Sequence, residues 1–330
     1  MPVTYYAGAH YRAGHQGYLH CKTQSAALMT PAQVTDPSTV ASVVTPVGPA
    51  QFPAQTFNEN MRDVMGIGDS RVQAFVPGRR ERGFRTRVEI ADGTVLQSAV
   101  RNHTTPSGGS LGLPYLTFET GTGSNFDSGS DISWQYLDAL INSVTFNFGM
   151  GQTVSADMDV WAPIALPGSG QTPVIPAANV LHWGNMSWQD DGQVDYMSIL
   201  AGGRVSINNN LERVLQRQML YSESTELAIS RTARKIVPKM EMLQVSYQLQ
   251  DMLPATLAAL GSVEYWPTMV ISAIQPGSGS GLSRLTLTID NSKLNRSENP
   301  QVDANGMITF TAEVASAYLT VVATPTSGGS

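Results

Sequence analysis

The sequence predicts a mainly β protein made of two tandem domains of the β-barrel or β-sandwich type, each with a short flanking α-helix. Three observations support this prediction. Residues 57–64 align position for position with residues 207–214, and later segments correspond in the same order. Several stretches alternate apolar and polar residues, which is the pattern of half-buried strands. The length of 330 residues fits two domains of roughly 100–200 residues each.

The aligned copies are offset by about 150 residues, whereas a solenoid unit measures about 20–50 residues, so the repeating unit has the size of a domain. The correspondence continues through the basic pairs Arg79-Arg80 and Arg234-Lys235. Its later members are strand-like segments and a short apolar helix, at 86–90, 95–100, 141–148 and 153–161 in the first copy and at 242–247, 254–260, 282–290 and 307–315 in the second. We therefore expect the two halves to superpose as duplicated domains.

Composition divides the chain further. Residues 1–54, rich in Thr, Pro, Ala and Val, are interpreted as an N-terminal arm, and residues 55–162 as the first β domain. A linker rich in Pro, Gly and Ala covers residues 163–185, the second β domain covers 186–325, and residues 326–330 form a flexible tail. The arm contains His10, His15 and His20, whose spacing does not place them on one helical face, so packing is favoured over metal binding.

Periodicity predicts the elements of the first domain. Residues 70–76 and 85–90 alternate, with a turn at Pro77-Gly78 between them. Residues 93–102 carry an apolar face typical of a short amphipathic helix. A strand at 115–120 precedes a Gly- and Ser-rich stretch, and the alternating strand 141–148 is joined by a tight turn at 149–152 to a return strand at 153–161.

The second domain repeats this plan. Strands are predicted at residues 203–208, 225–229, 242–249 and 269–274, and a helix at 254–260. A final hairpin pairs residues 282–290 with residues 307–314 through a turn at 303–306, and residues 318–323 form a further short strand.

Composition also excludes several classes of protein. Charged residues make up 14% of the chain, against about 25% in typical soluble domains, and the neutral polar residues that replace them resemble the composition of interfaces. The net charge of −6 does not favour a nucleic-acid-binding protein, which needs basic patches. Cys21, the one cysteine, cannot form an internal disulfide. With no secretory signal and no apolar run near ~20 residues, a soluble protein made in a reducing cytoplasm is expected.

Motifs for catalysis or ligand binding are weak, and we predict no catalytic residue, no cofactor and no metal ion. The run from Ser107 to Gly112 lacks the spacing of a phosphate-binding loop and favours a flexible loop. Residues 189–195 resemble part of a calcium loop but lack its alternating ligands and closing Glu. His103 and His182 have no neighbouring motif of a nucleophile system.

Three segments carry a resemblance to a known family. The hairpin of residues 141–160, INSVTFNFGMGQTVSADMDV, is similar to a hairpin of the major tail tube proteins of bacteriophages with long, non-contractile tails. Residues 205–212, VSINNNLE, resemble a strand and turn of the same family, and residues 234–237 with the following strand resemble a third segment. Taken in order, the resemblance covers roughly residues 55–325.

The resemblance implies a virion structural protein without catalysis. In this family, subunits join their sheets edge to edge into a ring, and stacked rings form the tube through which the genome leaves the capsid. Six barrels normally make a ring, so a chain with two barrels implies a trimeric ring with pseudo-sixfold symmetry. Free strand edges, a liability in a monomer, then serve as assembly surfaces.

The resemblance also implies partners and a location. The partners are other copies of the chain, a tape-measure protein and the tail-end or baseplate proteins, while DNA crosses the lumen without specific binding and no membrane is involved. The implied location is the phage tail, assembled in the cytoplasm of the bacterial host.

Two alternatives remain open. One is another phage morphogenesis protein of the β-barrel type, such as a tail terminator or head-completion protein. The other is a carbohydrate- or surface-binding β-sandwich module, which should expose a flat aromatic platform. Trp134, Trp183 and Trp188 are the candidates for that platform because they lie beside linker and turn residues, whereas Trp161 and Trp266 are expected in the core.

Assembly contacts are expected at polar turns, basic residues and Gly-rich loops. The candidates are Arg79, Arg80, Arg82, Asn208, Asn210, Arg234, Ser107, Gly109, Gly121, Gly123 and Asp127. The excursion formed by residues 102–114 and 121–131 is expected to reach the next ring.

The basic run that begins at Arg79 is interrupted by Glu81, so intersubunit ion pairs are favoured over contacts with phosphates. Because DNA must slide, the lumen is expected to be neutral or acidic, with Arg79, Arg80 and Arg82 at interfaces or on the outer surface.

Overall fold

A computed structural model describes the protein at residues 17–23, 45–46, 54–58, 62–65, 72–76, 81–91, 93–101, 113–122, 133–167, 180–190, 200–215, 234–237, 242–250, 265–275, 284–297, 301–302 and 308–324. These segments are mainly β, as predicted. No helix within these ranges is long and apolar enough to cross a membrane.

The first half of the chain contributes ten of the described strands. They are β1 (Gly17–Thr23), β2 (Thr45–Pro46), β3 (Ala54–Asn58), β4 (Arg62–Met65), β5 (Val72–Val76), β6 (Glu81–Glu89), β7 (Leu116–Thr122), β8 (Ser133–Gly149), β9 (Ser155–Ala162) and β10 (Ile164–Pro167).

The second half contributes nine more. They are β11 (Met186–Asp190), β12 (Leu200–Asn208), β13 (Glu212–Leu215), β14 (Arg234–Val237), β15 (Met242–Gln250), β16 (Tyr265–Ile274), β17 (Arg284–Ser297), β18 (Gln301–Val302) and β19 (Ile308–Thr324).

Fifteen of the described strands form one hydrogen-bonded sheet, and β4–β5 and β13–β14 form two separate hairpins. Within the first half the strand order is β1-β7-β8-β9-β6-β3, and within the second half it is β11-β16-β17-β19-β15-β12. All of these pairs are antiparallel. The two orders match strand for strand, which is what a duplicated domain requires.

Individual residue pairs also repeat between the halves. Asn58 lies opposite Glu81 where β3 pairs with β6. Asn208, the residue aligned with Asn58 in the sequence repeat, lies opposite Met242 where β12 pairs with β15. The small hairpins β4–β5 and β13–β14 follow at the same point in each half. The register therefore agrees with the alignment of Asn58 and Asn208, but it equates Glu81 with Met242, so the predicted match of residues 86–90 with residues 242–247 is wrong.

An irregularity in the sheet is repeated as well. In the pairing of β8 with β9, a register shift between Ile141 and Ser143 leaves Asn142 as the extra residue of a bulge. In the pairing of β17 with β19, the corresponding shift leaves Asn295 as the extra residue. Bulges are specific features that bend a strand locally, so their equivalent positions strengthen the match between the halves.

The core follows from the alternation that predicted the strands. In β8, Val144, Phe146 and Phe148 are buried, and the polar residues between them are partly exposed. Buried apolar side chains of both halves belong to one cluster, which includes Phe84 and Leu287. Burying a large apolar side chain contributes about 1.5–3 kcal/mol, so this shared cluster stabilises the two halves together.

The helix predicted near residues 93–102 is a six-residue 3₁₀ helix, Thr94–Ala99. It buries the predicted apolar face, with Val95, Leu96 and Ala99 turned inward. The segment is too short for the α-helix that was predicted, and 3₁₀ geometry is common in such short pieces. Its predicted counterpart at 254–260 falls outside the described ranges.

The turn predicted at 149–152 is confirmed. The amide of Gln152 donates to the carbonyl of Gly149 at 2.9 Å, and Gly151 has φ 70°, which favours glycine. The predicted strands 307–314 and 318–323 are instead one strand, β19, because Ser316 continues to pair with β15 and β17. The strand predicted at 225–229 and the turns at 77–78 and 303–306 are not among the described segments.

The predicted arm and linker both contribute strands to the sheet. β1 lies within residues 1–54 and pairs with β7 along its whole length. β10 lies within residues 163–185 and pairs with β8. Periodicity missed β1 because burial does not alternate at its centre: Leu19 and Cys21 join the core, His20 is buried on the opposite face, and only Lys22 on that face is exposed among the residues whose burial is described.

Candidate assembly site

The two halves meet through a pair of strands. β12 of the second half lies antiparallel to β8 of the first half, in a register that runs from Gly202 opposite Gly149 to Asn208 opposite Ser143. β12 also pairs with β15 on its other side. The sheet therefore passes from one repeated unit to the next without interruption, and we call this contact the internal junction.

The loop after β12 fixes this junction through Asn209. The side chain of Asn209 is fully buried. Its Nδ2 donates to the carbonyl oxygens of Ala99 at 2.9 Å and Ile141 at 3.0 Å, and its backbone amide donates to the carbonyl of Asn142 at 2.8 Å. One side chain thus satisfies two buried carbonyls of the other half, a requirement of buried backbone groups.

The bulge residue Asn142 links this loop to the sheet. Its Oδ1 accepts a hydrogen bond from the amide of Leu211 at 3.1 Å, and its Nδ2 donates to Asp159 at 2.9 Å. The side chain of Leu211 is buried beside Leu113 and Leu140 of the first half. The bulge therefore directs the side chain of Asn142 toward the second half, where the amide of Leu211 binds it.

A second contact joins the halves away from the strand pair. The 3₁₀ helix of the first half donates from Gln97 Nε2 to the carbonyl of Ala323 in β19 at 2.8 Å. A side chain placed at Gly93 would come within 3.0 Å of Leu285 in β17. The absence of a side chain at Gly93 therefore lets β17 and β19 approach the helix region without a shift of Leu285.

The sheet face opposite the core is polar across both halves. In β8 and β12, Thr145 and Ser206 hydrogen-bond at 3.1 Å, and Arg204 donates to Asn147 at 3.3 Å. Asn147 in turn donates to Asp157 at 2.8 Å. These bonds cross the internal junction, so the polar face is one surface rather than two.

Two arginines of this polar face contact carboxylates directly. Arg85 contacts Asp159 at 3.2 Å, and Arg87 contacts Glu89 at 3.5 Å. Asp159 also accepts from Asn142 Nδ2 and from Trp161 Nε1 at 3.0 Å. Exposed pairs of this kind stabilise a fold by at most about 1 kcal/mol each, but they cancel the field that single arginines would produce.

The structure places some of the predicted contact residues at the internal junction and others elsewhere. Asn208 ends β12, and its Oδ1 accepts from the amide of Asn210 at 2.9 Å. Asn210 has φ 45°, a conformation that Asn adopts more easily than most residues. Asn208 and Asn210 therefore shape the loop that holds Asn209. The contact they make is within the chain, whereas they were predicted as contacts between chains.

The basic residues were predicted to form intersubunit pairs. Within the chain, Arg82 donates to the carbonyl of Ala165 in β10 at 3.0 Å. Arg234 begins β14, opposite Leu215 of β13. Arg79 and Arg80 are not among the residues that the structure describes.

Of the loop candidates, Gly121 is buried near the end of β7, opposite Ser133, and so belongs to a strand rather than to the predicted loop. Ser107, Gly109, Gly123 and Asp127 lie outside the described residues.

A buried polar row crosses β1, β7 and β8 away from the junction. His20 lies opposite Glu119, which accepts from Gln135 Nε2 at 2.9 Å. Burial lowers the pKa of His20 and raises the pKa of the neighbouring Cys21 thiol. In the described part of the chain no cluster of His, Cys, Asp and Glu is suited to hold a metal ion.

The three tryptophans named as candidates for a carbohydrate-binding platform do not form one. Trp188 is only 1% exposed and packs edge-on against Phe148 at 6.1 Å. Trp183 is also buried, and Trp134 packs against the core cluster.

Sequence reasoning missed Asn209, Leu211 and Asn142. Asn209 stands in a run of three asparagines that resembles an exposed turn, and burial of its amide depends on carbonyls remote in sequence. The available signal was the alignment of this run with residues 58–60 in the repeat.

No protein-family model matches the chain, and no curated protein matches it.

Proposed function

We propose that the protein is a structural subunit of a phage tail tube and has no catalytic role. Its copies assemble into stacked rings, each a trimer with pseudo-sixfold symmetry, and the rings enclose the channel for genome delivery. The partners in this proposal are further copies, a tape-measure protein and tail-end proteins, and the location is the virion.

The observation that carries the proposal is the internal junction. Two equivalent β units in one chain are joined side by side through β12 and β8, with Asn209 buried in the contact. A contact of this type relates two similar units by a rotation and is not self-complementary. Repeated between chains, such a contact closes into a ring or continues as a helical filament.

The polar face of the shared sheet supports the same proposal. We propose that this face, around Thr145, Asn147 and Ser206, lines the channel. Its neutral side chains are hydrogen-bonded to one another, and Arg85 and Arg87 are paired with carboxylates. Arg204 on the same face donates to Asn147, which in turn donates to Asp157, so each of these arginines has a carboxylate within the same network. A lining whose positive charges are matched by nearby carboxylates binds DNA phosphates weakly, so the DNA slides.

Electron microscopy of the concentrated, purified protein tests the proposal. We expect rings and tubes, and sedimentation should show a smallest assembled species of three times the 35.4 kDa chain mass. A protein that stays monomeric at every concentration would contradict the proposal. So would tight, salt-sensitive binding of DNA by the unassembled protein.

A variant of the polar face tests the lining separately. Thr145→Lys with Ser206→Lys adds two cations to the proposed channel wall, where Asp157 is the one carboxylate directly opposite position 145 and position 206 faces position 145 and Gln244. Tubes of this variant should retain DNA in a salt-sensitive manner, whereas tubes of wild type should not. The matched control is Thr94→Lys, an exposed position on the 3₁₀ helix, which should leave DNA retention unchanged.

A further inference from the structure

We infer that β3 of one copy pairs antiparallel with the C-terminal end of β17 of a second copy, in the register of the internal junction. The inference rests on the proposed assembly into rings, and it names the surfaces that meet. Asn58 would lie opposite Arg296, and Phe57 opposite Ser297, as Asn208 lies opposite Ser143 and Ile207 opposite Val144.

The first step is the equivalence of β3 with β12. Both strands end in the aligned residues Asn58 and Asn208, and both pair on one side with equivalent strands, β6 and β15. β12 uses its second edge to pair with β8. Among the described strands, β3 pairs with β6 alone, so its second edge is open where β12 is occupied.

The second step is the equivalence of β17 with β8. On one side β8 pairs with β9 and then β10, and on the other side with β7 and then β12. β17 pairs with β19 on the first side and with β16 on the second, but the β16 pairing stops at Lys293. The described residues 294–297 have no strand partner on that side, which is the position that β12 fills in the first half.

The bulge fixes the register. In β8 the bulge residue Asn142 directly precedes Ser143, which is the first residue of β8 to pair with β12 and lies opposite Asn208. In β17 the bulge residue Asn295 precedes Arg296. If the contact repeats with the bulge at the same place, Arg296 takes the position of Ser143. A shift of the register by one residue would turn every side chain of the added strand to the opposite face of the sheet, so the proposed register can be distinguished from its neighbours.

An open strand edge is a template for another chain. The edges of β3 and of β17 correspond to the two sides of the internal junction, β12 and β8, so one copy can donate β3 while accepting β3 from the next. The second copy of the chain is therefore the occupant that complements both edges. The contact is head-to-tail, as a ring requires.

Cysteine pairs test the register in the background Cys21→Ala. Asn58→Cys with Arg296→Cys should form a disulfide between chains when the protein assembles, because directly opposed residues bring their Cβ atoms within about 4.5–5.5 Å. Asn208→Cys with Ser143→Cys is the positive control, since the same pairing exists within one chain. Asn58→Cys with Lys293→Cys is the negative control, displaced along the same strand.

Amide exchange of the wild-type protein gives a second readout that needs no substitution. On assembly, exchange should slow by at least tenfold in residues 54–58 and 294–297. Residues 202–208 should change little, because β12 is already paired on both edges.

The outcomes separate this inference from the proposed function. Rings or tubes without the Asn58–Arg296 cross-link and without slower exchange in β3 would overturn the inference and leave the tube proposal standing. Cross-linked chains that form neither rings nor tubes would support the pairing and contradict the tube. Equal cross-linking of the Lys293 control would overturn the register.

Discussion

The two halves of the chain share one set of strands but differ at one edge of the sheet in particular. In the first half, the edge of β8 beyond β7 is covered by β12 of the second half. In the second half, the described end of β17 beyond β16 has no such cover. The difference shows that the chain satisfies one of two equivalent contacts within itself, so the unsatisfied one is the natural site for another copy.

A second difference concerns the return strand. In the first half it is interrupted at Pro163, between β9 and β10, whereas in the second half β19 runs unbroken over 17 residues. β8 also carries an additional residue near Asp138, which has φ 51°. The first half is thus the more irregular of the two, and its irregular part faces β7 and β10 rather than the internal junction.

The largest effect is expected from shortening the loop between β7 and β8. The excursion of residues 121–131 was predicted to contact the next ring. Because Gly121 and Thr122 belong to β7, the segment to delete is 123–130. Electron microscopy should then show no tubes, while thermal unfolding of the monomer stays within about 2–4 °C of wild type, the shift that 1 kcal/mol produces at this size. Normal tubes from this variant would remove the idea that the loop joins rings.

Asn209→Asp should disrupt the internal junction most strongly among single substitutions. It replaces an amide that donates to the carbonyls of Ala99 and Ile141 with a buried carboxylate that faces them. Breaking a buried polar arrangement in this way costs about 3–5 kcal/mol. Urea denaturation at pH 7 measures the loss.

The matched control is Asn208→Asp, one residue away and exposed. An aspartate there still accepts from the amide of Asn210, so its free energy of unfolding should change by less than about 0.5 kcal/mol. Equal losses for the two variants would show that Asn209 does not hold the halves together.

Alanine substitutions at the equivalent positions Gly83 and Gln244 should affect the stability of the two halves differently. Gly83 lies in β6 opposite Trp161, and a Cβ there would overlap the carbonyl oxygen of Val160. Crowding of this kind costs about 1–3 kcal/mol. The equivalent residue of β15 is Gln244, which is exposed, and Gln244→Ala should cost less than about 0.5 kcal/mol. Thermal unfolding of both variants measures the difference, and a larger loss for Gln244→Ala would contradict the pairing scheme.

The smallest effect concerns pH. Burial raises the pKa of the Cys21 thiol above its ordinary value of 9.0. The unfolded chain therefore releases this proton first, so the stabilising contribution is complete below pH 9 and falls as the pH rises. Between pH 8 and pH 10 the loss should be about 1.4 kcal/mol.

Comparison of wild type with Cys21→Ala isolates this contribution from that of the other titrating groups. The free energy of unfolding of the variant should fall less steeply above pH 9. Equal slopes for both proteins would mean that β1 is open to solvent, unlike its position against β7.

The sequence predicted the strands whose two faces differ and missed those whose two faces are alike. β8 was predicted because polar and apolar residues alternate along it from Ile141 to Phe148. β1 was missed because His20 is buried on the face opposite Leu19. Ser316 was taken for a break in the last strand because small polar residues do not distinguish a turn from a paired position.

The candidate site was predicted in part. The asparagine run after β12 was singled out through Asn208 and Asn210, yet the residue that binds the other half is Asn209. Its role depends on two carbonyls from distant parts of the chain, and local sequence carries no information about them. The repeat located the region, and only the three-dimensional pairing identified the side chain.

The most direct test of the central claim is a cryo-electron microscopy map of the assembled ring. The ring is expected to contain three chains and six contacts between β units. The β8–β12 pairing inside each chain should alternate with a β3–β17 pairing between chains. The polar face around Thr145 and Ser206 should line the channel. A ring whose chains meet through other surfaces, or whose channel is lined by the core-facing side of the sheet, would contradict the account.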